Sequence, residues 1–293
     1  MLKKLCKYEF KSIMRTLLPI YLAVIAVSLI NAVSLGLSSG MYETSGGNDI
    51  RIFDGAVLYW ILGLMQVVVG FAYFAVLVAL FVLTMVVILQ RFYKGLLCDE
   101  GYLMFTLPVK TWQLITAKGI AAFVMSILST ITAVLSMFIL AIGASGISWM
   151  GDLFHLEGWM QFFKALSKAV PGWPFYGLLL LVVLIVSGLS SLYQMYCAMA
   201  IGHLAHKHRI LMSVAAYIAI NMVFSFISGL LMILIGETDG FGILQILERM
   251  SHVQAYHTGM CILLFGMLFL SLVQFAVFFF GTERILSRKL NLE

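Results

Sequence analysis

The residues of this chain best suited to hold a metal are His203, His206 and His208, which run as H-x-x-H-x-H. Imidazoles bind zinc when two or three converge and a carboxylate, thiolate or water completes the shell. Here the run shares a short loop with Lys207 and Arg209 and has no nearby Asp or Glu. It reads as loop charge rather than as a metal centre. One G-x-S-x-G match runs from Gly36 through Ser38 to Gly40. A nucleophile elbow needs a strand before it and a helix after it, whereas this match closes an apolar segment and opens a polar loop. There is no H-E-x-x-H. No Gly-Lys dipeptide occurs anywhere, which removes the G-x-x-x-x-G-K-[ST] phosphate loop. We therefore expect no enzyme, no cofactor and no metal, and any nucleotide hydrolysis must come from a separate protein.

The remaining polar chemistry lies inside apolar stretches. Asn31, Gln66, Gln194, Asn221 and Gln274 are amides that can bond neighbouring helices or line the path of a cargo. No Asp, Glu, Lys or Arg falls near the middle of such a stretch, where ion-coupled carriers keep one. Gly36 and Gly40, and again Gly236 and Gly240, make G-x-x-x-G pairs at stretch ends, as close-packing or turn residues.

These residues need elements to position them, and composition restricts which. Of 293 residues, 62% are hydrophobic and 11% charged. A soluble chain has about a quarter charged, so this one has too few charges to cover a water-facing surface. Mean hydropathy is +1.06. Its solvent is a bilayer, which leaves a single membrane domain over 1–293 and excludes a free nucleic-acid binder. A spanning helix takes about 20 apolar residues. Helices are expected at 17–38, 57–90, 118–143, 174–202, 210–235 and 258–282, apolar on all sides. A membrane barrel would instead alternate polar and apolar positions. The expected fold is all-α and polytopic, with six transmembrane helices. The apolar run from Leu17 is too long for a cleaved signal peptide. Cys6, Cys98, Cys197 and Cys261 lie in four segments without a CxxC, so no disulfide framework is expected. Fourteen Lys and Arg fall in the two termini and the second and fourth loops, against four in the other loops. Basic residues stay on the cytoplasmic side, so both termini are expected there.

Outside the spans, Leu2, Leu5, Cys6, Phe10, Ile13 and Leu17 recur at helical spacing, opposite Lys4, Lys7, Lys11 and Arg15. Residues 1–16 thus predict an interfacial helix, its apolar face in the acyl boundary. Pro19 suits the first turn of the following span. The stretch from Gln90 to Lys118 is too long and too apolar for a simple turn. Phe92, Leu96 and Leu97 form one apolar face, and Leu103, Met104 and Leu107 another after Gly101. Pro108 ends the second. Asp99 and Glu100 form an acidic pair in an otherwise basic loop. The external loops carry Trp149, Trp159 and Trp173, suited to headgroup depth. Phe162, Phe163, Leu166 and Val170 suit a short interfacial helix, and Leu244, Leu247 and Met250 recur at helical spacing before the last span.

The order Glu100-Gly101, then Leu107-Pro108, then Lys118, between the second and third of six spans, resembles the bacterial ABC-2-type transporter permeases. The amphipathic start resembles theirs as well, whereas the long third loop, Ala144–Trp173, departs from the pattern. The resemblance implies a permease subunit of an ATP-binding-cassette exporter in the cell membrane. It implies a separate ATPase subunit and a second permease, either a copy or a paralogue. The segment 91–117 would be a coupling helix, with Asp99, Glu100, Gly101, Leu103, Leu107, Pro108 and Lys118 facing the ATPase. The cargo would be an amphiphile such as a peptide antibiotic or a lipid. The competing expectation is a non-transporting membrane sensor or immunity protein that sequesters an amphiphile.

Overall fold

A computed structural model describes residues 2–43, 56–97, 110–145, 156–170, 172–205, 208–237 and 252–288. They form seven helices and, among the described residues, no strand. The helices are α1 (Leu2–Glu43), α2 (Ala56–Leu97), α3 (Thr111–Ser145), α4 (Leu156–Ala169), α5 (Trp173–His203), α6 (Arg209–Glu237) and α7 (His252–Arg288). All except α4 contain a segment long and apolar enough to cross a membrane. The chain is an all-α polytopic membrane protein. Its outward faces show why. Phe71 and Phe226 are 71% and 72% exposed, and Leu22, Ile30 and Phe269 also face outward. In water each such side chain would forgo about 25 cal/mol per Å² of apolar surface; in lipid it forgoes nothing.

The described helices pack as two compact units. One holds Lys7–Ile88 and Val124–Phe163, that is, most of α1 and α2 with the second half of α3 and the start of α4. In it α1 buries one face continuously: Glu9, Ile13, Leu17, Tyr21, Val24, Ser28 and Asn31, at steps of three and four. Such steps keep side chains on one stripe. The stripe runs past Pro19, and this corrects two expectations. There is no break between an interfacial helix and a first span, and Pro19 lies inside one continuous helix rather than in a first turn. A mid-helix proline costs about 3 kcal/mol, but Leu17 and Tyr21, buried on either side of it, hold both turns in register. Ile13 and Leu17, expected to face the acyl boundary, are buried in the protein, while Tyr8 and Phe10 are exposed. Hydroxyls tie the three long helices together. Ser129 of α3 hydrogen-bonds Tyr21 of α1 and Thr84 of α2, both at 2.9 Å. Tyr73 of α2 meets Ser136 of α3 at 2.8 Å. Without water, interhelical bonds of this kind are one of the few attractions between helices that lipid does not match.

The other unit holds Met1–Cys6, Leu89–Phe123 and Lys164–Glu293. Here α5 is the hub, packed on both α6 and α7. Near the start of α5, Tyr176 and Leu179 cluster with Leu264 of α7, and Tyr176 bonds the His257 ring. Further along, Ser190 donates to the Ser271 carbonyl at 2.8 Å. The α4–α5 turn reverses at Gly172, whose φ of 82° belongs to the left-handed region that glycine adopts without strain. Pro174 then sits in the first turn of α5. The short helix expected around Phe162 is α4, which begins in the first unit, where Trp159, Phe162 and Phe163 are in mutual contact. Trp149, Leu244, Leu247 and Met250 lie outside the described residues.

Candidate functional site

The expected cytoplasmic segment 91–117 is helical at both of its described ends. Residues 91–97 are the last two turns of α2, and 111–117 are the first two of α3. The reason is burial: Phe92, Leu96 and Leu97 are buried, and so are Leu114, Ile115, Ala117, Ala121 and Ala122. The first three are therefore the packed end of α2, not the face of a separate helix. Asp99, Glu100, Gly101, Leu103, Leu107 and Pro108 lie outside the described residues.

Side chains from two other helices hold the end of α2. Phe92 stacks on Tyr196 of α5, ring centroids 3.9 Å apart and planes within 8°. Lys118 of α3 is 5% exposed, and its Nζ donates to the Arg91 carbonyl at 3.4 Å. Gly95 leaves the room, since a Cβ there would fall 2.6 Å from that Nζ. A cation beside the last turn of a helix also complements the negative end of its dipole. His203, at the end of α5 and 9% exposed, donates from Nε2 to the carbonyl of Leu97, the last residue of α2. That assigns its proton to Nε2. The Tyr93 ring lies 5.9 Å from the His203 ring. One helical turn before Tyr196, Tyr193 packs on Gly119, where a Cβ would fall 2.2 Å from the phenol oxygen. Tyr193 also meets Phe275 and Phe279 of α7, at 5.2 and 5.4 Å.

A helix end has four carbonyls without intrahelical partners. Here α5 supplies a donor to one of these, the Leu97 carbonyl, and α3 adds a second donor to the Arg91 carbonyl further back in the last two turns. The arrangement is a mechanical joint: it fixes where the chain leaves α2 and returns along α3, and it ties that point to α5.

Of the expected site residues, Lys118 faces inward onto α2 rather than outward. The amides divide between the units, Asn31 and Gln66 in one and Gln194, Asn221 and Gln274 in the other. Asn31 is buried, and Asn221 donates back to the Tyr217 carbonyl of its own helix at 3.1 Å. Of the histidine run, His203 is spent on Leu97, His208 is exposed, and His206 lies outside the described residues. Sequence reasoning missed Phe92, Tyr93, Tyr193, Tyr196 and His203 as a group. A signal was present, since Tyr193, Tyr196, Ala200 and His203 recur at steps of three and four on one face of α5. No family model, curated protein or solved structure matches the chain.

Proposed function

We propose that this chain is the permease subunit of an ATP-binding-cassette exporter of the ABC-2 type. It moves an amphiphilic cargo, such as a peptide antibiotic or lipid, and is powered by a separate ATPase. Residues 98–109, with Asp99, Glu100, Leu103 and Leu107, dock on that ATPase. What supports this reading most is the anchoring of the segment's ends. Leu97 is held by His203 and Arg91 by Lys118. Displacement of the segment by an ATPase then passes to α3 and α5, and through α5 to α6 and α7, instead of being lost in a slack loop. The missing phosphate loop requires the ATPase to be a second chain.

The test is Glu100→Ala, made in cells that co-express the chain with an ATP-binding-cassette protein from its gene neighbourhood. Removing one partner of a hydrogen-bonded interfacial charge pair costs about 2–5 kcal/mol. The variant is expected to insert normally, while ATPase co-purification falls at least about tenfold. Lys207→Gln, in the other basic loop, is expected to co-purify like the parent. A Glu100→Ala protein that retains its ATPase and exports as well as the parent overturns the docking role. A neighbourhood and a pull-down that both lack an ATPase favour the sequestering protein instead.

A further inference from the structure

Beside the joint, a groove of about 780 Å³ lies between the end of α2 and the start of α6. It is lined by Tyr93, His208, Arg209, Ile210, Leu211 and Val214. The lining divides by chemistry. Ile210, Leu211 and Val214 are exposed and share one face of the first two turns of α6. Arg209 and His208 stand at the water end of that face, and both are exposed. Tyr93 closes the opposite wall with an amphipathic ring. From Gly158 to Gly236 the chain has no Asp or Glu, so no carboxylate from that stretch neutralises Arg209. His208 has a φ of 55°, in the left-handed region. A residue other than glycine held there costs about 1–3 kcal/mol, and such residues gather at ligand sites and switches.

A cation above a strip of exposed aliphatic side chains, at the end of a membrane span, matches a molecule with an anionic head and apolar tails. A free phosphate would leave the aliphatic wall unused, and a soluble peptide would find half the groove facing lipid. Basic pockets between spanning helices bind anionic lipid headgroups by this division of labour, and a guanidinium is the side chain best shaped for a phosphodiester.

We infer that this groove is a binding site for an anionic phospholipid of the surrounding leaflet, with Arg209 on the phosphate and Ile210, Leu211 and Val214 along an acyl chain. The site places its lipid against Tyr93, whose ring neighbours the His203 that holds Leu97. It does not depend on the permease reading, because the test reads lipid retention alone.

The full chain is purified in detergent and titrated with phosphatidylglycerol or phosphatidylcholine of identical acyl chains. Bound lipid is counted by native mass spectrometry. Phosphatidylglycerol is expected to bind about fivefold more tightly, the worth of one basic residue near an anionic headgroup. Arg209→Gln removes that preference. Val214→Trp fills the apolar wall and lowers retention of both lipids. Arg284→Gln, which removes an exposed cation of α7, leaves the preference intact. Equal binding of the two lipids overturns the site, and so does a preference that survives Arg209→Gln. An equal loss in Arg284→Gln also overturns it, because the attraction then belongs to the basic surface at large. Displacement of bound lipid by millimolar glycerol phosphate, which lacks acyl chains, would reduce the groove to an anion site and likewise overturn the proposal. Should Arg209→Gln fail to insert, Val214→Trp carries the test, since it alters no charge.

Discussion

At Gly143 a Cβ would lie 2.4 Å from the Ala32 carbonyl oxygen and 2.5 Å from the Ala32 Cα. Both are backbone atoms, so neither can swing aside. At this point the backbones of α1 and α3 meet with no side chain between them, and a single methyl group would push them apart. Overpacking of this kind costs about 1–3 kcal/mol. Gly143→Ala should therefore lower the thermal unfolding midpoint in detergent, while Gly63→Ala, with nothing within 4 Å of its Cβ, should leave it unchanged or raise it slightly. Equal midpoints for the two variants would show that the α1–α3 contact is not close-packed.

Among the elements, α2 carries the most consequence at its end. Its last two turns bury Phe92, Leu96 and Leu97, and the carbonyls of Arg91 and Leu97 receive donors from α3 and α5. A buried carbonyl stripped of its donor costs about 1–3 kcal/mol, equivalent to roughly 5- to 150-fold in an opening equilibrium. Replacing His203 by Ala should raise amide hydrogen exchange across residues 89–97 by a factor in that range. His203→Gln, which keeps an N–H at similar reach, should recover part of the protection. Amides in the middle of α6, remote from the contact, should not respond. If exchange in 89–97 stays at the parent rate, His203 does not hold the end of α2.

Across the whole molecule, the split of fourteen basic residues against four leads us to expect both termini in the cytoplasm, an expectation on which the packing is silent. A reporter active only outside the cytoplasm, fused after Glu293, should stay silent, and a cytoplasmic one should be active. The opposite result would put residues 98–109 on the far side of the membrane and end the coupling proposal with them. Between Arg209 and Leu230, α6 buries Ser213 alone. Its outward face is thus the largest continuous surface that α6 offers to lipid, and its first turns form the groove beside Arg209.

Element type was legible because the bilayer leaves so few solutions. Each backbone N–H and C=O must be satisfied within its own segment, so a run of 20 or more apolar residues without charge becomes a helix whatever its neighbours do. Six such runs therefore read directly from sequence, and even the short helix around Phe162 announced itself by spacing. The ends of helices did not read, because hydropathy stops reporting once charge appears. Arg91 and Lys94 looked like the start of a loop, yet Phe92, Leu96 and Leu97 are buried and carry α2 two turns further. Lys118 looked like a boundary charge and is instead buried against Arg91. His203 looked like one third of a histidine run and is instead the donor to Leu97. Partners separated by 27 and 106 positions leave no periodic trace in one chain. Only the tertiary structure, by closing those distances, turned a lysine and a histidine at the ends of spans into the joint that holds α2.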